Sequence, residues 1–291
     1  MVKQIVVFLV LAFVLVVGQA QNALDGAYVQ EHNLTRRVVP YPHLRQADVM
    51  WKKRIWEQID LRQKMNYSLY YPINPIQDRK CLFDLIKMGI TEGQITAYKP
   101  YNALMPDDEF TTPMSPQEVE QTLNRIDTVW LKSIPDYPND SIIYVNGAPV
   151  RQFNPVKDPI LAEKVLRYEL KEDWIFDKQR SERYVRIIGI APIAEKKTVA
   201  GTSVEKLFWL YFPECRYLFA NADVFNLHNT SQPITFDDLF QKRMFSAYVV
   251  KEENVYDRRI EDYHRIPMKA ILESDRIKED LFLFEHDLWH Y

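Results

Sequence analysis

Residues 171–192 read KEDWIFDKQRSERYVRIIGIAP. An acidic and aromatic run (Glu172, Asp173, Trp174, Phe176, Asp177) comes first, then a charged segment over 178–183, then Val185, Ile187, Ile188 and Ile190 ahead of Ala191-Pro192. A short β-branched run that stops at proline reads as a largely buried strand, because proline has no N–H to give to a ladder. A second apolar run, LFWLYF over 207–212, stops at Pro213. Between the two runs lie Glu195, Lys196, Lys197 and Gly201, the composition of a solvated hairpin loop. An antiparallel pair is therefore expected, about 184–191 against 206–212, with flanking helices and long Pro-rich loops. The fold class is α+β.

Outward from that pair, composition narrows the choices. The 47% hydrophobic and 26% charged residues are those of a globular chain, which excludes overall disorder. Seven Gly against 17 Pro argues against phosphate-cradling glycine turns. A net charge of -3 gives no electrostatic reason to expect nucleic acid. Residues 1–20 have the form of a secretory signal: Lys3, an apolar run over 5–17, and small Gly18 and Ala20 at the cleavage positions. That run is shorter than the ~20 residues of a membrane-spanning helix. No Cys follows it as a lipid-attachment point, so the expected mature chain begins at Gln21 outside the cytoplasm.

Residues 21–44 are polar, lack periodicity and are expected to form an extended arm. Ala47, Trp51, Ile55 and Ile59 recur at three- to four-residue spacing, which predicts a helix over 45–62 with Trp56 widening its apolar stripe. Residues 66–75 are expected to be extended. A helix over 81–88 is expected to stop at Gly89, followed by a short strand over 94–98 and an acidic loop over 105–113. Ser115-Pro116-Gln117-Glu118 is a capping-box start for a helix reaching about residue 125. The prolines over 135–159 mark an expected boundary between a mixed half, 45–150, and an α+β half, 151–291, with a strand over 142–145 inside the cluster. Asp158-Pro159 is expected to open a helix reaching about Leu170. Further helices are expected over 215–225, from the Thr235 cap, and over 274–291, with a strand over 245–250 and a charged, exposed element over 254–260.

Sites of chemistry are sparse. Cys81 and Cys215 permit either one long-range disulfide or two buried thiols, and sequence leaves both open. His286 and His290 stand four apart, yet no Glu follows the first as in a zincin helix. No cofactor is expected. Asp107, Asp108, Glu109 and the Asp237-Asp238 pair keep an exported carboxylate-dependent hydrolase, or a carbohydrate-binding module, in view as the rival. Asn33, Asn66, Asn139 and Asn229 head N-x-S/T triplets. Trp51, Trp56, Trp174, Arg243, Arg258 and Arg259 are the candidate interface residues, because Trp and Arg dominate binding hot spots; for the Trp stripe, a core role is the first expectation.

Three blocks carry a family resemblance. One is KEDW over 171–174 with FDK over 176–178 and RIIGIAP over 186–192; the second runs from ADVMW over 47–51 through Arg62 to YYP over 70–72; the third is KRMFS over 242–246 with NVYDRRI over 254–260. Together they resemble the GldN/PorN family. The resemblance implies a non-enzymatic subunit of the periplasmic ring of the type IX secretion and gliding-motility apparatus. It implies assembly with the outer-membrane lipoprotein GldK/PorK and contact with the periplasmic region of GldM/PorM. The triplets Asp127-Thr128-Val129 and Asp140-Ser141-Ile142 look like the O-glycan acceptors of Bacteroidota, the phylum the resemblance implies.

Overall fold

A computed structural model describes residues 36–287 except 77–78, 103–104, 131–141, 146–147, 152, 199–200, 227–228 and 230. Seven strands form its main sheet: β1 (Val49–Asp60), β2 (Ala97–Tyr98), β3 (Val165–Asp177), β4 (Glu182–Thr198), β5 (Gly201–Lys206), β6 (Trp209–Tyr211) and β7 (Tyr248–Glu252). Their order is β7-β1-β3-β4-β6-β2, with β5 paired to the far end of β4. The helices are α1 (Tyr67–Tyr70), α2 (Leu82–Thr91), α3 (Pro116–Leu123), α4 (Phe212–Phe219), α5 (Phe236–Gln241), α6 (Ile260–Tyr263) and α7 (Pro267–Asp287). The chain is α+β.

The stretch 171–192 is itself a hairpin: β3 turns at 178–181 and returns as β4, with Glu182 opposite Asp177 and Ile190 opposite Leu170. The expected pairing of 184–191 with 206–212 exists over only two positions, Gly189 with Tyr211 and Ile190 with Leu210. The expected loop between them is largely ladder as well, since β4 continues to Thr198 and folds back as β5. Charged residues such as Lys196 and Glu205 sit there on an exposed ribbon, where a sheet tolerates them.

The largest correction is β1. Residues 49–60 are a strand lying between β3 and β7, not the expected helix. Trp51, Ile55 and Ile59 stand four apart, and four is a multiple of two, so the same residues share one face of a strand. Trp56 falls on the other face and is also buried, as a central strand covered on both sides requires. A second correction is Asp158 to Leu170: a strand over Phe153–Pro159 and one 3-10 turn lead straight into β3, with Tyr168 and Leu170 two apart on the same face as their partners Ile59 and Glu57. Residues 66–75 are not wholly extended, because α1 occupies Tyr67–Tyr70. Gly89 does not end α2 but lies inside it, where an added Cβ would come 2.5 Å from Leu218 Cδ2 and 2.8 Å from Ile95 Cδ1. Gly93, at φ 72°, makes the stop.

Other expectations are met closely. Cys81 caps α2, Ser115 with Glu118 and Thr235 with Asp238 form capping boxes, and Ile142–Val145 is a strand. The terminal helix starts earlier than expected, at Pro267, and buries Ile277 and Leu281; Leu288 and His290 lie outside the described residues. The sheet takes β1 and β2 from before the Pro-rich region and its other strands from after it.

On one face of the sheet, Ile59, Tyr168, Leu170 and Ile190 pack against the apolar sides of α2, α4 and α5, where Phe212, Phe219 and Phe240 meet edge-on or stacked. Farther along that face, Ile55, Trp174 and Val249 receive Ile277 and Leu281 of α7, and Phe284 lies 4.8 Å from the Trp51 ring. The opposite face is covered by the loop through Phe110. Phe110 sits edge-on to Trp209, Tyr98 and Tyr211 and directly over Gly189, whose absent side chain leaves the room. A Cβ there would fall 2.5 Å from Phe110 Cζ. Gly189→Ala is expected to cost roughly 1–3 kcal/mol in urea unfolding by overpacking, and Phe110→Ala in the same chain should recover part of that loss.

Candidate functional site

β3 reads E-L-K-E-D-W over 169–174, an unusual run for a strand buried from Tyr168 to Asp177. Alternation divides its charges between the two faces. Glu172 joins the helix-covered side. Glu169, Lys171 and Asp173 join the side under the Phe110 loop.

On the helix-covered side, Glu172 and Glu57 of neighbouring β1 share one cation. Arg243 Nη1 donates to Glu172 Oε1 at 2.8 Å and Nη2 donates to Glu57 Oε2 at 2.7 Å. The local sequence aims it: Arg243 follows the end of α5 at φ 50°, a left-handed residue that turns the chain off the helix and back toward the sheet. Its guanidinium also stacks 5.3 Å from Trp174 and 5.1 Å from Phe245. Burial raises the Glu172 carboxyl; Arg243 draws it back down and Glu57 beside it pushes it up again, but burial dominates and leaves it at about 7.

On the other side the charges form a ladder. Arg54 grips Asp173 through two hydrogen bonds, with Lys52 3.0 Å away. Trp56 Nε1 donates to Asp108 at 2.7 Å, and Lys171 Nζ donates to the Asp108 carbonyl at 2.6 Å, which fastens the Phe110 loop to the strands. Glu169, almost wholly buried, accepts from Gln58 at 3.0 Å, Lys206 at 2.8 Å and Arg259 at 2.6 Å. Burial opposes its ionisation, but the two cations outweigh that and hold it at about 2. A cleft of about 480 Å³ opens beside it, with Arg167, Tyr248, Tyr101 and Ile271 on its walls.

These groups are taken up in pairing with one another. Glu169 is saturated and ionised at neutral pH. Glu172 has the raised pKa of an acid catalyst but no exposed surface. Of the five acids of the rival enzyme reading, four are spread apart in use: Asp107 takes the Thr111 hydroxyl, Asp108 takes Trp56 and Lys171, Asp237 takes Arg216 at 2.8 and 3.0 Å, and Asp238 joins the Thr235 cap.

Of the candidate interface residues, Trp56 and Trp174 are buried, Trp51 packs on α7, and Arg243 and Arg259 are committed to interior carboxylates. Arg258 remains at the surface, 4.6 Å over the Tyr256 ring on a tip where Val255 is 97% exposed. Asn254 holds that tip: its Oδ1 accepts from the Tyr256 and Arg258 amides, and its Nδ2 donates to the carbonyls of Glu252 and Arg258. Cys81 and Cys215 are both free and buried. Burial pushes Cys81 up to about 12 and raises Cys215 as well. Asn66, which heads a glycosylation-like triplet, is buried and ties the Asp60 and Ser246 carbonyls together. Asn33, Asn139 and Ser141 lie outside the described residues, as do residues 1–35 with the expected signal. Among the described residues no cluster of three or more His, Cys, Asp or Glu could hold a metal, and no helix is long and apolar enough to cross a membrane.

Sequence reading missed the shared Arg243 and the Glu169 cluster. The signal was present in three adjacent charges, Lys171, Glu172 and Asp173, set between the apolar residues of one strand: a strand that buries charge needs counter-ions from elsewhere, and Arg243 and Arg259 both fall in the third block of the resemblance. Residues 44–290 match the family described as Gliding motility associated protein GldN. The chain belongs to the GldN family. It is thus a component of the gliding-motility and type IX secretion machinery. The match takes in all seven strands of the sheet and every counter-ion of the buried acids, and begins just after the part of the arm that lies on the body. No curated protein matches the chain.

The two buried glutamates should respond oppositely to pH. Glu169 is depressed, so its contribution is present above the ordinary carboxyl pKa and is lost as pH falls toward about 2. Glu172 is raised, so its ionisation weakens the fold as pH rises toward about 7. In urea unfolding at pH 8, Glu169→Gln should lose roughly 3–5 kcal/mol and Glu172→Gln clearly less, with the gap narrowing at pH 4. The thiols supply a separate check: unfolded in denaturant without reductant, the chain should titrate as two free thiols, and folded it should react with neither quickly.

Proposed function

We propose that the chain is a non-enzymatic structural subunit of the periplasmic ring of the type IX secretion and gliding-motility apparatus. It assembles with the outer-membrane lipoprotein GldK/PorK, which keeps it at the periplasmic side of that membrane, and it contacts the periplasmic region of GldM/PorM. The observation that carries this reading is the family match over residues 44–290. The geometry supports it in kind: the sheet's charges are spent on holding strands, loop and helices together, and contact chemistry remains at the perimeter. The Val255–Tyr256–Arg258 tip is one such place. The outward side of α7, with Met268, Leu272 and Phe282 exposed, is another. A ring needs heterologous contacts, one patch meeting a different patch on the next copy, and two unlike exposed patches suit that need.

Copurification from native membranes, with partners identified by mass, tests the reading; recovery without the lipoprotein or the motor protein would overturn it. The arm gives a finer test. Its described part lies along the body, where Val39 and Pro42 carbonyls accept from Arg216 at 2.7 Å and Arg186 at 2.6 Å. Removing residues 21–35 should leave thermal stability unchanged and weaken capture of the lipoprotein. Extending the deletion to residue 44 should further cost about 1–3 kcal/mol, because two arginines lose buried partners. Undiminished capture after the shorter deletion would take the arm out of the assembly.

A further inference from the structure

One side of β4 is open over 182–188. β4 pairs with β3 over 182–194; on its other side β5 covers 193–198 and β6 reaches only Gly189 and Ile190. Over 182–188 no strand flanks that side among the described residues. A cleft of about 340 Å³ lies there, and its walls include Arg183, Arg186, Arg243, Tyr41, Pro42 and Gln241. Three arginines face this one space, and no described carboxylate lines it.

Their charges are not equally spent. Arg183 is balanced by Glu285 at 2.8 Å, and Arg243 by Glu57 and Glu172. Arg186 has no carboxylate partner among the described residues; the acid across the ladder from it, Asp173, is taken by Arg54 and Lys52. Arg186 gives Nη2 to the Pro42 carbonyl and stacks 5.5 Å from the Tyr41 ring. Its Nε is buried without any hydrogen-bond acceptor. A buried donor of a charged group is rarely left this way, and an orphan next to a cleft marks a place for an acceptor.

We propose that this edge of β4 binds an acidic, extended segment of a partner protein, which adds alongside the strand and sets a carboxylate on Arg186. An open sheet edge supplies main-chain hydrogen bonds to any extended chain, and side chains beside it choose the sequence. A guanidinium fork selects a carboxylate, because two charge-assisted bonds form in one plane. The Pro42 carbonyl is a weaker, neutral acceptor on the same group, so the arm borders the site and gives way where the carboxylate enters. The ring reading can fail while this site stands, since binding is measured on the isolated chain.

The test uses residues 21–291, a fluorescein-labelled peptide of about eight residues alternating Glu and Val, its Gln-Val counterpart, and inorganic phosphate as competitor, read by fluorescence anisotropy. The Glu-Val peptide should bind, with affinity about tenfold weaker for Arg186→Gln and for the Gln-Val peptide. Arg186→Lys, which keeps the charge and loses the fork, should fall between, and the exposed Arg62→Gln should match the unaltered chain. Circular dichroism establishes that each variant is folded; if Arg186→Gln does not fold, Arg186→Lys decides. No binding, equal binding of the Gln-Val peptide, or unaltered affinity in the folded Arg186 variants would overturn the proposal. Displacement of the peptide by phosphate would also overturn it, leaving only a small-anion site.

Discussion

Glu57, Glu172 and Arg243 form the contact on which the fold turns. Two carboxylates on adjacent strands, both on the face that the helices cover, repel each other wherever no cation stands between them. Arg243 reaches them only if α5 ends where it does and the chain leaves it through a left-handed residue. One guanidinium thereby fixes the register of β1 against β3 and the place of α5 over the sheet. Desolvating three charges is expensive, and burying a matched set gives specificity more surely than stability. A slip of β1 by one residue would turn Glu57 to the other face and bring Trp56 and Gln58 under the helices in its place.

The opposite face meets the same problem in another way. There the acids are not clustered round one cation but run along the strands, each with its own partner: Asp173 with Arg54, Glu169 with Lys206 and Arg259, and Asp108 with Lys171. Phe110 closes this layer by resting on Gly189, so an aromatic ring rather than a helix forms the lid. Both faces of the central strands are therefore filled. What this filling leaves uncovered is the open edge of β4, the loop tips and the outside of α7.

Much of the architecture is legible in the sequence where a residue type has one job. Ser115 and Thr235 cap helices because an N–H needs an acceptor at those points, and proline marks the end of apolar runs. β1 was illegible for a definable reason: Trp51, Ile55 and Ile59 satisfy a helical and an alternating pattern at once, and only the burial of Trp56 on the second face separates them. The charged core was hidden because Glu57, Glu169 and Glu172 read as surface residues until the counter-ions, roughly 35–190 residues away in the chain, are brought beside them. Among the candidate interface residues, Arg258 alone keeps a free-standing surface position, since Arg243 and Arg259 are consumed by those hidden acids.

The tip at Val255–Arg258 has a kinetic meaning. Surface loops usually explore many shapes, and a partner must wait for, or impose, the one it fits. Here a single amide side chain, Asn254, ties four main-chain groups, so an aliphatic, an aromatic and a cationic side chain are displayed in a set arrangement before any encounter. In the proposed contact, Asn254 behind the displayed side chains would set how often a collision becomes a complex. Sequence change at Asn254 would be felt as slower recognition, with the contacting side chains themselves unaltered.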